Sequence, residues 1–402
     1  MKTEEQKLIS EITKNQQSGK VSIAKLRTDD RVLARITDGI YRQPASALRE
    51  LISNAYDADA TNVIIQTDAP RFRHITVRDD GNGMDVAALA RLIHHIGGSV
   101  KRRVEGATLG ITGKRDPSLS PKGRRLIGKI GIGLFSVSQL TRHFQIVTKV
   151  KGNPYRLIAE VILRTYTEDT PRNMTGSKPG AGDVVETGTV RIISAPADDA
   201  SAHGTEVILM DLRPQARDVL QSKEMWDLID SGAIGIGGEK LYVRHPSYHI
   251  GQVDGSTDKV TRKPSLPWHD EDEPEVRFRS LYQSLIDEIN TTEQNPRLET
   301  ALDNYLRTLW TLSLSAPVDY IECHPFDLAK SPEIDLYLLK PRIRGQAKPL
   351  ALSASEKVRE KLGLHAPERG PSRIPFCVLI DDVQLLRSIR FFASAIPGWR
   401  IT

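Results

Sequence analysis

Long apolar runs, paired cysteines and a leader-like N-terminus are all missing from this 402-residue sequence. No apolar stretch approaches the roughly 20 residues that a helix needs to cross a bilayer. The first residues, MKTEEQKLISEI, alternate charge with single aliphatics and form no signal-peptide core. Cys323 and Cys377, the only cysteines, are too few for a disulfide framework or a zinc site. These absences predict a cytoplasmic protein without a membrane segment.

The composition is ordinary for a globular protein, with 39% apolar and 27% charged residues, and the length predicts two or three domains. Net charge is +5, but basic residues concentrate in two segments. Residues 101–129 hold nine Lys or Arg against two acidic residues, and residues 340–402 hold twelve against five. Such segments attract the phosphates of a nucleotide or a nucleic acid. On charge alone, a solvated loop is the simpler explanation.

The stretch ALRELISNAYDADAT, residues 47–61, contains no Gly or Pro and predicts a helix. Glu50, Asn54 and Asp57 fall on one stripe of that helix, at i, i+4 and i+7, and most of the remaining surface is apolar. Oxygens on an otherwise buried helix need a polar partner, and Mg²⁺ with water and phosphate is one such partner. A solvated stripe explains the same pattern, so this helix alone leaves both interpretations open.

The segment DDGNGM, which begins at Asp79, follows a predicted strand. Gly81 and Gly83 permit positive φ and let the backbone approach a flat ligand. Asp79 could accept a hydrogen bond from an exocyclic amine while Met84 packs on the ring. A tight hairpin turn or a metal-binding loop is the alternative, although an EF-hand loop is disfavoured because its closing Glu is missing.

A glycine-rich segment, GKIGIG, places Gly128, Gly131 and Gly133 before a helix-like run over 134–141. Free N–H groups at the start of a helix bind anions, so this segment predicts a phosphate cradle. The spacing does not match a P-loop, and no strand leads directly into the segment, so neither a P-loop nor a dinucleotide motif fits. The basic stretch before it, about 99–127, predicts a mobile lid.

The order of the predicted elements indicates an α+β protein. A polar helix is expected over 1–20, a nucleotide-binding domain over 21–250, a polar linker over 251–275 and a smaller α/β domain over 276–402. The predicted strands are 21–23, 63–67, 74–78, 144–150, 155–164, 190–194, 203–209, 319–323, 333–339 and 376–380, and the main helices after 47–61 are 86–96, 214–235, 276–290 and 296–314. An apolar run near the end leaves open that the chain is part of a longer protein.

Four elements in order resemble the GHKL ATPases, the group of gyrase B, Hsp90, histidine kinases and MutL. They are the ExxxN helix, the DxGxGM segment, the GxxGxG loop before a helix, and Gly204-Thr205 before a strand. LRELISN and DDGNGM are nearest in wording to Hsp90, and IGGSVK followed by a basic lid resembles MORC-type ATPases. The resemblance covers about residues 20–215. It implies a Bergerat-type α/β sandwich, with helices on a mixed sheet, followed by a transducer-like α/β domain.

The resemblance also implies a role for each matching residue. Glu50 would be the general base that activates the attacking water, and Asn54 would coordinate Mg²⁺. Asp79 would bind the adenine amine with support from Thr205, and Lys129 would touch phosphate or face solvent. The residues expected to contact or support the nucleotide are Asn54, Asp57, Asp79, Gly81, Gly83, Met84, Ser99, Lys101, Gly128, Lys129, Ile130, Gly131, Ile132, Gly133, Leu134 and Thr205.

Split ATPases of this group usually send a Lys or Arg from the transducer domain to the γ-phosphate. Lys348, in GQAK, is the candidate for this catalytic role. Lys340, Arg342 and Arg344 are alternatives that the sequence does not separate from it.

The leading hypothesis is an ATPase that uses ATP and Mg²⁺ and closes as a homodimer when ATP binds. The basic segments favour action on double-stranded DNA, as in MORC or MutL relatives. An Hsp90-like chaperone with protein clients is the main alternative, since fold does not fix function; a protein partner or C-terminal effector fits either hypothesis. A non-hydrolysing ATP sensor or scaffold is disfavoured by Glu50. A histidine kinase is disfavoured because no His precedes His74.

Overall fold

The computed structural model of the chain describes thirteen stretches of residues. They are 3–16, 18–29, 44–94, 116, 118–127, 136–163, 184–221, 246–291, 301–319, 321, 336–337, 349–350 and 374–387. The α-helices within these stretches are α1 (Glu4–Asn15), α2 (Pro44–Asp57), α3 (Val86–His94), α4 (Pro214–Gln221), α5 (Pro274–Thr291) and α6 (Asn304–Ser315). None of the helices in these stretches is both long and apolar enough to cross a membrane.

The strands form one large sheet and two small ones within the same stretches. The strands of the large sheet are β1 (Ser22–Asp29), β2 (Asn62–Gln66), β3 (Ile75–Asp79), β4 (His143–Lys149), β5 (Tyr155–Leu163), β6 (Val184–Pro196) and β7 (Gly204–Met210), with β12 (Cys377–Ile380) and β13 (Val383–Gln384) from the C-terminal part. The small sheets pair β8 (Gln252–Val253) with β9 (Val260–Arg262), and β10 (Leu336–Tyr337) with β11 (Pro349–Leu350).

The large sheet is mixed, in the order β1-β6-β5-β4-β7-β3-β2-β12-β13. All neighbours are antiparallel except β12 and β2, which run parallel. Residues alternate between buried and more exposed along the strands, as in β2, so one face carries the core. Helices on a mixed sheet confirm the predicted α+β class and agree with a Bergerat-type fold.

Helix α1 packs on α3, β1 and β6. Thr3 caps its first turn in a capping box, and Leu8 and Ile12 are buried. Glu5 forms an ion pair with Arg91 of α3 at 3.1 Å between Oε1 and Nε. The predicted polar N-terminal helix therefore packs on the sheet and is joined to α3 by an ion pair.

The C-terminal strand β12 completes the large sheet beside β2. At the turn after β12, the carboxylate of Asp381 accepts the Thr67 N–H at 2.7 Å and the Thr67 hydroxyl at 2.5 Å. Tyr305 of α6 donates to Asp381 Oδ2 at 2.5 Å, and α6 packs on α2 and α4. The strand predicted over 376–380 thus lies in the same sheet as β2 and β3. A domain boundary at 251–275 stays a prediction.

Most other predicted strands agree with the structure within a few residues, but several element limits differ. The first strand, predicted over 21–23, continues to Asp29 because β1 pairs along its length with β6. The strand predicted over 190–194 extends to Val184–Pro196 because it pairs with β1 on one side and β5 on the other. Helix α6 begins at Asn304, later than predicted, because the Asp303 carboxylate caps it by accepting the Leu306 N–H at 2.9 Å.

Two predicted helices are described only in part. Helix α4 covers 214–221 of the predicted 214–235, and the remainder of that prediction lies outside the described residues. The described part of the run 134–141 contains a 3₁₀ helix, Val137–Gln139.

Candidate nucleotide-binding site

Helix α2 carries the predicted polar stripe. Glu50 and Asn54 are half-buried, and Asp57 is only 3% exposed. The apolar residues on the other faces are buried: Ala47, Leu48, Leu51, Ile52 and Ala55. Glu50 Oε1 lies 3.6 Å from Arg49 Nη2, and the Glu50 side chain stays 22% exposed. The stripe is therefore only partly exposed: Asp57 is buried, whereas Glu50 and Asn54 keep some access to solvent.

Helix α2 ends at Asp57, four residues before the end predicted from composition. Asp59 adopts a left-handed conformation with φ of 61°, which an α-helix cannot continue through. The Ala60 N–H then bonds back to the Ala55 carbonyl at 3.1 Å, so the last turn closes as a helix C-cap. Asp tolerates this conformation better than most residues, and its side chain becomes available to neighbouring segments.

The carboxylate of Asp79 is held at the end of β3. Its Oδ1 accepts the Gly81 N–H at 2.8 Å and the Thr205 N–H at 3.3 Å. Its Oδ2 accepts no hydrogen bond from a described residue. Burial raises the pKa of Asp79 to about 6, against the two N–H donors and nearby His203, which lower it. One oxygen is thus fixed by the backbone, and the other remains for a donor on a ligand.

Two glycines allow the backbone to pack tightly around Asp79. Gly83 has φ of 69°, and a Cβ at this position would lie 2.0 Å from the Lys149 carbonyl oxygen. Gly204 has φ of 128°, and a Cβ there would lie 2.0 Å from the Asp79 carbonyl oxygen. The Gly-Thr pair before β7 and the second glycine of DDGNGM are therefore required by close contact between strands.

Thr148 of β4 links the DDGNGM segment to the Gly-Thr pair. Its hydroxyl oxygen accepts the Met84 N–H at 2.8 Å, lies 3.2 Å from the Gly204 carbonyl oxygen, and lies 3.1 Å from Thr205 Oγ1. The Thr148 side chain is 1% exposed. A buried hydroxyl with three polar neighbours fixes the position of Met84, the residue predicted to pack on the base.

His203 adds a second polar contact to the same loop. Its Nδ1 lies 2.8 Å from the Gly81 carbonyl oxygen, within hydrogen-bond distance. Gly81 therefore uses its N–H on Asp79 and its carbonyl on His203, which holds the loop between β3 and α3 against the start of β7.

The loop 80–83 also contacts the C-terminal end of α2. The Asn82 N–H donates to the Ala58 carbonyl at 2.9 Å, and Asn82 Nδ2 donates to Asp59 Oδ2 at 3.4 Å. Asp80, the neighbour of Asp79, accepts hydrogen bonds from Thr61 and Asn62. Burial acts to raise the pKa of Asp80, but these donors together hold it below its usual value. The DDGNGM segment is thus joined directly to the residues that follow α2.

Asp57 joins α2 to the segment that enters the predicted phosphate cradle. Its Oδ1 accepts the Ile127 N–H at 2.9 Å, and Ile127 immediately precedes Gly128. Through this hydrogen bond Asp57 holds the residue just before the predicted phosphate cradle. Ten predicted site residues lie outside the described residues: Ser99, Lys101, Gly128, Lys129, Ile130, Gly131, Ile132, Gly133, Leu134 and Lys348.

Asn54 is the described residue predicted to coordinate Mg²⁺. It lies on α2 one turn after Glu50 and is half-buried. The described residues contain no group of three or more His, Cys, Asp or Glu side chains that could hold a metal ion. A single amide oxygen fits Mg²⁺, which commonly takes one or two protein oxygens and completes its shell with phosphate and water.

Sequence reasoning missed four residues of this region: Thr148, His203, Asp59 and Arg124. The signal for Thr148 was present, because alternation in β4 puts it on the buried face with Phe144 and Ile146. The other three acquire their roles only through contacts between distant parts of the chain.

The mixed sheet and the contacts around Asp79 agree with a nucleotide-binding domain of GHKL type. Residues 41–174 match the model of the family described as histidine kinase-, DNA gyrase B-, and HSP90-like ATPase. The matched interval holds the α2 stripe, the Asp79 segment and the glycine-rich loop. The predicted resemblance to the GHKL ATPases is confirmed for this part of the chain.

Similar proteins include several DNA mismatch repair proteins MutL. The protein from Bradyrhizobium sp. (strain ORS 278) is 35% identical over 99 residues, which cover 24% of this chain and 16% of the relative. Those from Solibacter usitatus and Acidiphilium cryptum are 38% identical over 103 residues and 31% identical over 118 residues. These matches cover 24% and 28% of this chain, and 16% and 20% of the relatives. The chain thus spans a fifth or less of the length of these MutL proteins.

Proposed function

We propose that this protein binds ATP with Mg²⁺ and hydrolyses it to ADP and phosphate. One observation carries the proposal. The C-terminal end of α2 contacts both the Asp79 loop, through Asn82 and Ala58, and the entrance of the glycine-rich loop, through Asp57 and Ile127. These contacts support the proposal, because they join the end of α2 both to the segment suited to a base and to Ile127, the residue just before the segment suited to phosphates.

In this proposal the adenine end is held by Asp79 and Met84. Asp79 Oδ2 accepts the exocyclic amine, while Gly81 and Thr205 keep the carboxylate in place through Oδ1. Thr148 holds the backbone of Met84, whose partly buried side chain packs against the core. A fixed acceptor beside an apolar surface favours a base that carries an amine on the edge facing the acceptor.

At the phosphate end, Glu50 acts as the general base and Asn54 as the protein ligand of Mg²⁺. Glu50 removes a proton from the attacking water, and its partial exposure leaves room for that water. Bound Mg²⁺ would supply charge neutralisation between phosphate oxygens. The remaining predicted contacts, those of Ser99, Lys101, residues 128–134 and Lys348, belong to the proposal as phosphate contacts.

Replacement of Glu50 tests hydrolysis separately from binding. Glu50→Gln keeps the shape of the side chain and removes the base, so kcat should fall by about 10²–10⁴-fold while ATP still binds. Glu11→Gln, an exposed change on α1, is the matched control and should leave turnover unchanged. Wild-type turnover in Glu50→Gln would remove Glu50 from the mechanism. If neither Glu50→Gln nor Glu11→Gln binds ATP, the proposal that ATP is the ligand is contradicted.

We further propose that ATP binding closes a cytoplasmic homodimer that acts on double-stranded DNA. The similarity to MutL proteins of DNA mismatch repair and the two basic segments of the sequence support this proposal. Arg124, one of the nine basic residues in 101–129, is 6% exposed and makes internal contacts, so it is not available for a DNA contact.

Steady-state ATP turnover with and without duplex DNA, at low and moderate salt, tests the DNA proposal. Stimulation that weakens as salt rises would support it, because phosphate contacts release counterions. Turnover that ignores DNA at both salt concentrations would contradict it and favour the alternative of a chaperone-like ATPase with protein clients.

A further inference from the structure

Arg124 is a buried cation that joins three separate segments of the chain. Its Nη1 donates to the Ala60 carbonyl at 2.6 Å and to the Tyr56 carbonyl at 3.1 Å. Its Nη2 donates to the Pro375 carbonyl at 2.8 Å, just before β12. A guanidinium at the carbonyl end of a helix complements both its free acceptors and its dipole.

Two aromatic rings enclose the same guanidinium. The Arg124 Cζ atom lies 4.7 Å from the centroid of Tyr56 and 5.3 Å from that of Phe376. The two rings meet edge to face with centroids 5.2 Å apart. Cation–π contacts of this kind strengthen when the cation is desolvated. The end of α2 and the start of β12 are thus held together by one side chain from a third segment.

Arg124 belongs to a compact turn formed by residues 118–127. The Ser120 N–H bonds to the Arg124 carbonyl at 2.7 Å, and the Leu126 N–H bonds to the Ser118 carbonyl at 3.0 Å. Asp59 fastens the turn from the other side, since its carboxylate accepts the Ser120 hydroxyl and the Lys122 N–H. The Arg124 guanidinium of the turn therefore binds the residues after α2, and the Asp59 carboxylate after α2 binds the turn.

The docked turn determines where the glycine-rich loop begins. Ile127, its last residue, donates its N–H to Asp57 Oδ1 at 2.9 Å, and Gly128 follows directly. Any loosening of Arg124 would free the turn from α2 and weaken the Asp57–Ile127 hydrogen bond. The position of Ile127, directly before the predicted phosphate-binding segment, thus depends on Arg124.

We propose that Arg124 is a positioning residue for the nucleotide site, which couples the start of β12 to the anchor of the phosphate-binding loop. This inference rests on the proposed ATP binding. It adds that contacts at Pro375 and Phe376, far along the sequence, set the affinity for ATP. Lys cannot replace Arg in this role, because its single ammonium group lacks the planar fork that reaches three carbonyls between two rings.

The test compares Arg124→Lys with Arg125→Lys, a matched change at the exposed neighbouring residue. Loss of one charge-assisted hydrogen bond corresponds to about a tenfold change, so Arg124→Lys should raise KM for ATP about tenfold. The loop binds substrate and transition state alike, so kcat should stay nearly unchanged. Arg125→Lys should change neither constant.

Amide hydrogen exchange without nucleotide supplies a second readout. In Arg124→Lys the Ile127 amide should exchange faster, while amides in β4 and β5 keep wild-type protection. Phe376→Leu should shift KM and Ile127 exchange in the same direction, and the double variant should show less than the sum of the two effects.

Each result bears on the inference. Wild-type KM and wild-type Ile127 exchange in Arg124→Lys would overturn it, as would uniform loss of protection with a fall in kcat, which indicates a purely structural role. If the wild-type protein binds no ATP, the proposed function fails by itself. Faster Ile127 exchange in Arg124→Lys would then still show that Arg124 holds the turn, but without a nucleotide role.

Discussion

Thr205 lies directly opposite Asp79 in the antiparallel pairing of β7 with β3, and its N–H reaches Asp79 Oδ1 at 3.3 Å. The Gly81 N–H approaches the same oxygen at 2.8 Å. Despite these donors, burial keeps the pKa of Asp79 raised, at about 6. The carboxylate therefore changes its charge just below neutral pH, where most proteins of this size remain folded.

ATP affinity should accordingly depend on pH. Above pH 6 Asp79 is ionised and its free oxygen accepts the amine of the base; below pH 6 the carboxyl is protonated and that acceptor is lost. Affinity should fall about tenfold for each pH unit below 6. Binding of a fluorescent ATP analogue between pH 5 and 8 measures this. Asp79→Asn should bind weakly and supplies the reference curve for titration of the nucleotide phosphates. Parallel curves for the two proteins would refute the assignment.

Thr148→Val should destabilise the protein and weaken nucleotide binding. Valine has nearly the same shape but leaves the Met84 N–H without its acceptor in a buried position, at a cost of about 1–3 kcal/mol. Urea unfolding measures the loss in the free energy of unfolding, and nucleotide titration measures how far the displacement of Met84 lowers the affinity. Thr76→Val, on the half-exposed face of β3, is the control. Equal effects of the two changes would show that the Thr148 hydroxyl has no special role.

The parts of the site that the sequence predicts are those whose residues are close in the chain. Glu50, Asn54 and Asp57 share a stripe because helical periodicity alone places them there. The Asp79 segment is contiguous, so its glycines and carboxylate could be recognised together. Strand alternation likewise predicts the buried face of most strands in the sheet.

Contacts between distant segments could not be predicted in the same way. Asp59 lies inside the helix predicted over 47–61, and only the fold brings Lys122 to its carboxylate. The fold also brings Pro375 to Arg124, which the sequence presents as one basic residue among many. The helix end differs from the prediction for a related reason: composition favours a helix up to Thr61, whereas Asp59 takes a left-handed conformation that an α-helix cannot continue through.

Gly83→Ala should destabilise the protein more than Gly152→Ala. Both glycines have positive φ, 69° and 84°, so each alanine incurs the left-handed penalty of roughly 1–2 kcal/mol. Only at Gly83 does the new Cβ also meet the Lys149 carbonyl, at 2.0 Å, whereas nothing lies within 4 Å at Gly152. Chemical unfolding of the two variants isolates the steric part. Equal losses would mean that β4 can move away from the Asp79 loop.

Tyr305→Phe should weaken the attachment of α6 to the C-terminal hairpin formed by β12 and β13. The Tyr305 hydroxyl donates to Asp381 Oδ2 at 2.5 Å, and Tyr305 is 2% exposed, so its removal deprives a buried carboxylate of one donor. We expect a loss of about 1–3 kcal/mol in the free energy of unfolding.

Burial already raises the pKa of Asp381 against the Thr67 and Tyr305 donors. The loss should therefore be largest at high pH, where Asp381 is ionised, and shrink as pH falls through its folded-state pKa. Tyr155→Phe, at a half-buried ring whose hydroxyl makes no hydrogen bond to a described residue, is the control. A loss independent of pH would indicate that packing, and not the carboxylate, accounts for the effect. If the hairpin also sets ATP affinity through Pro375 and Phe376, Tyr305→Phe should raise KM in the same direction as Arg124→Lys.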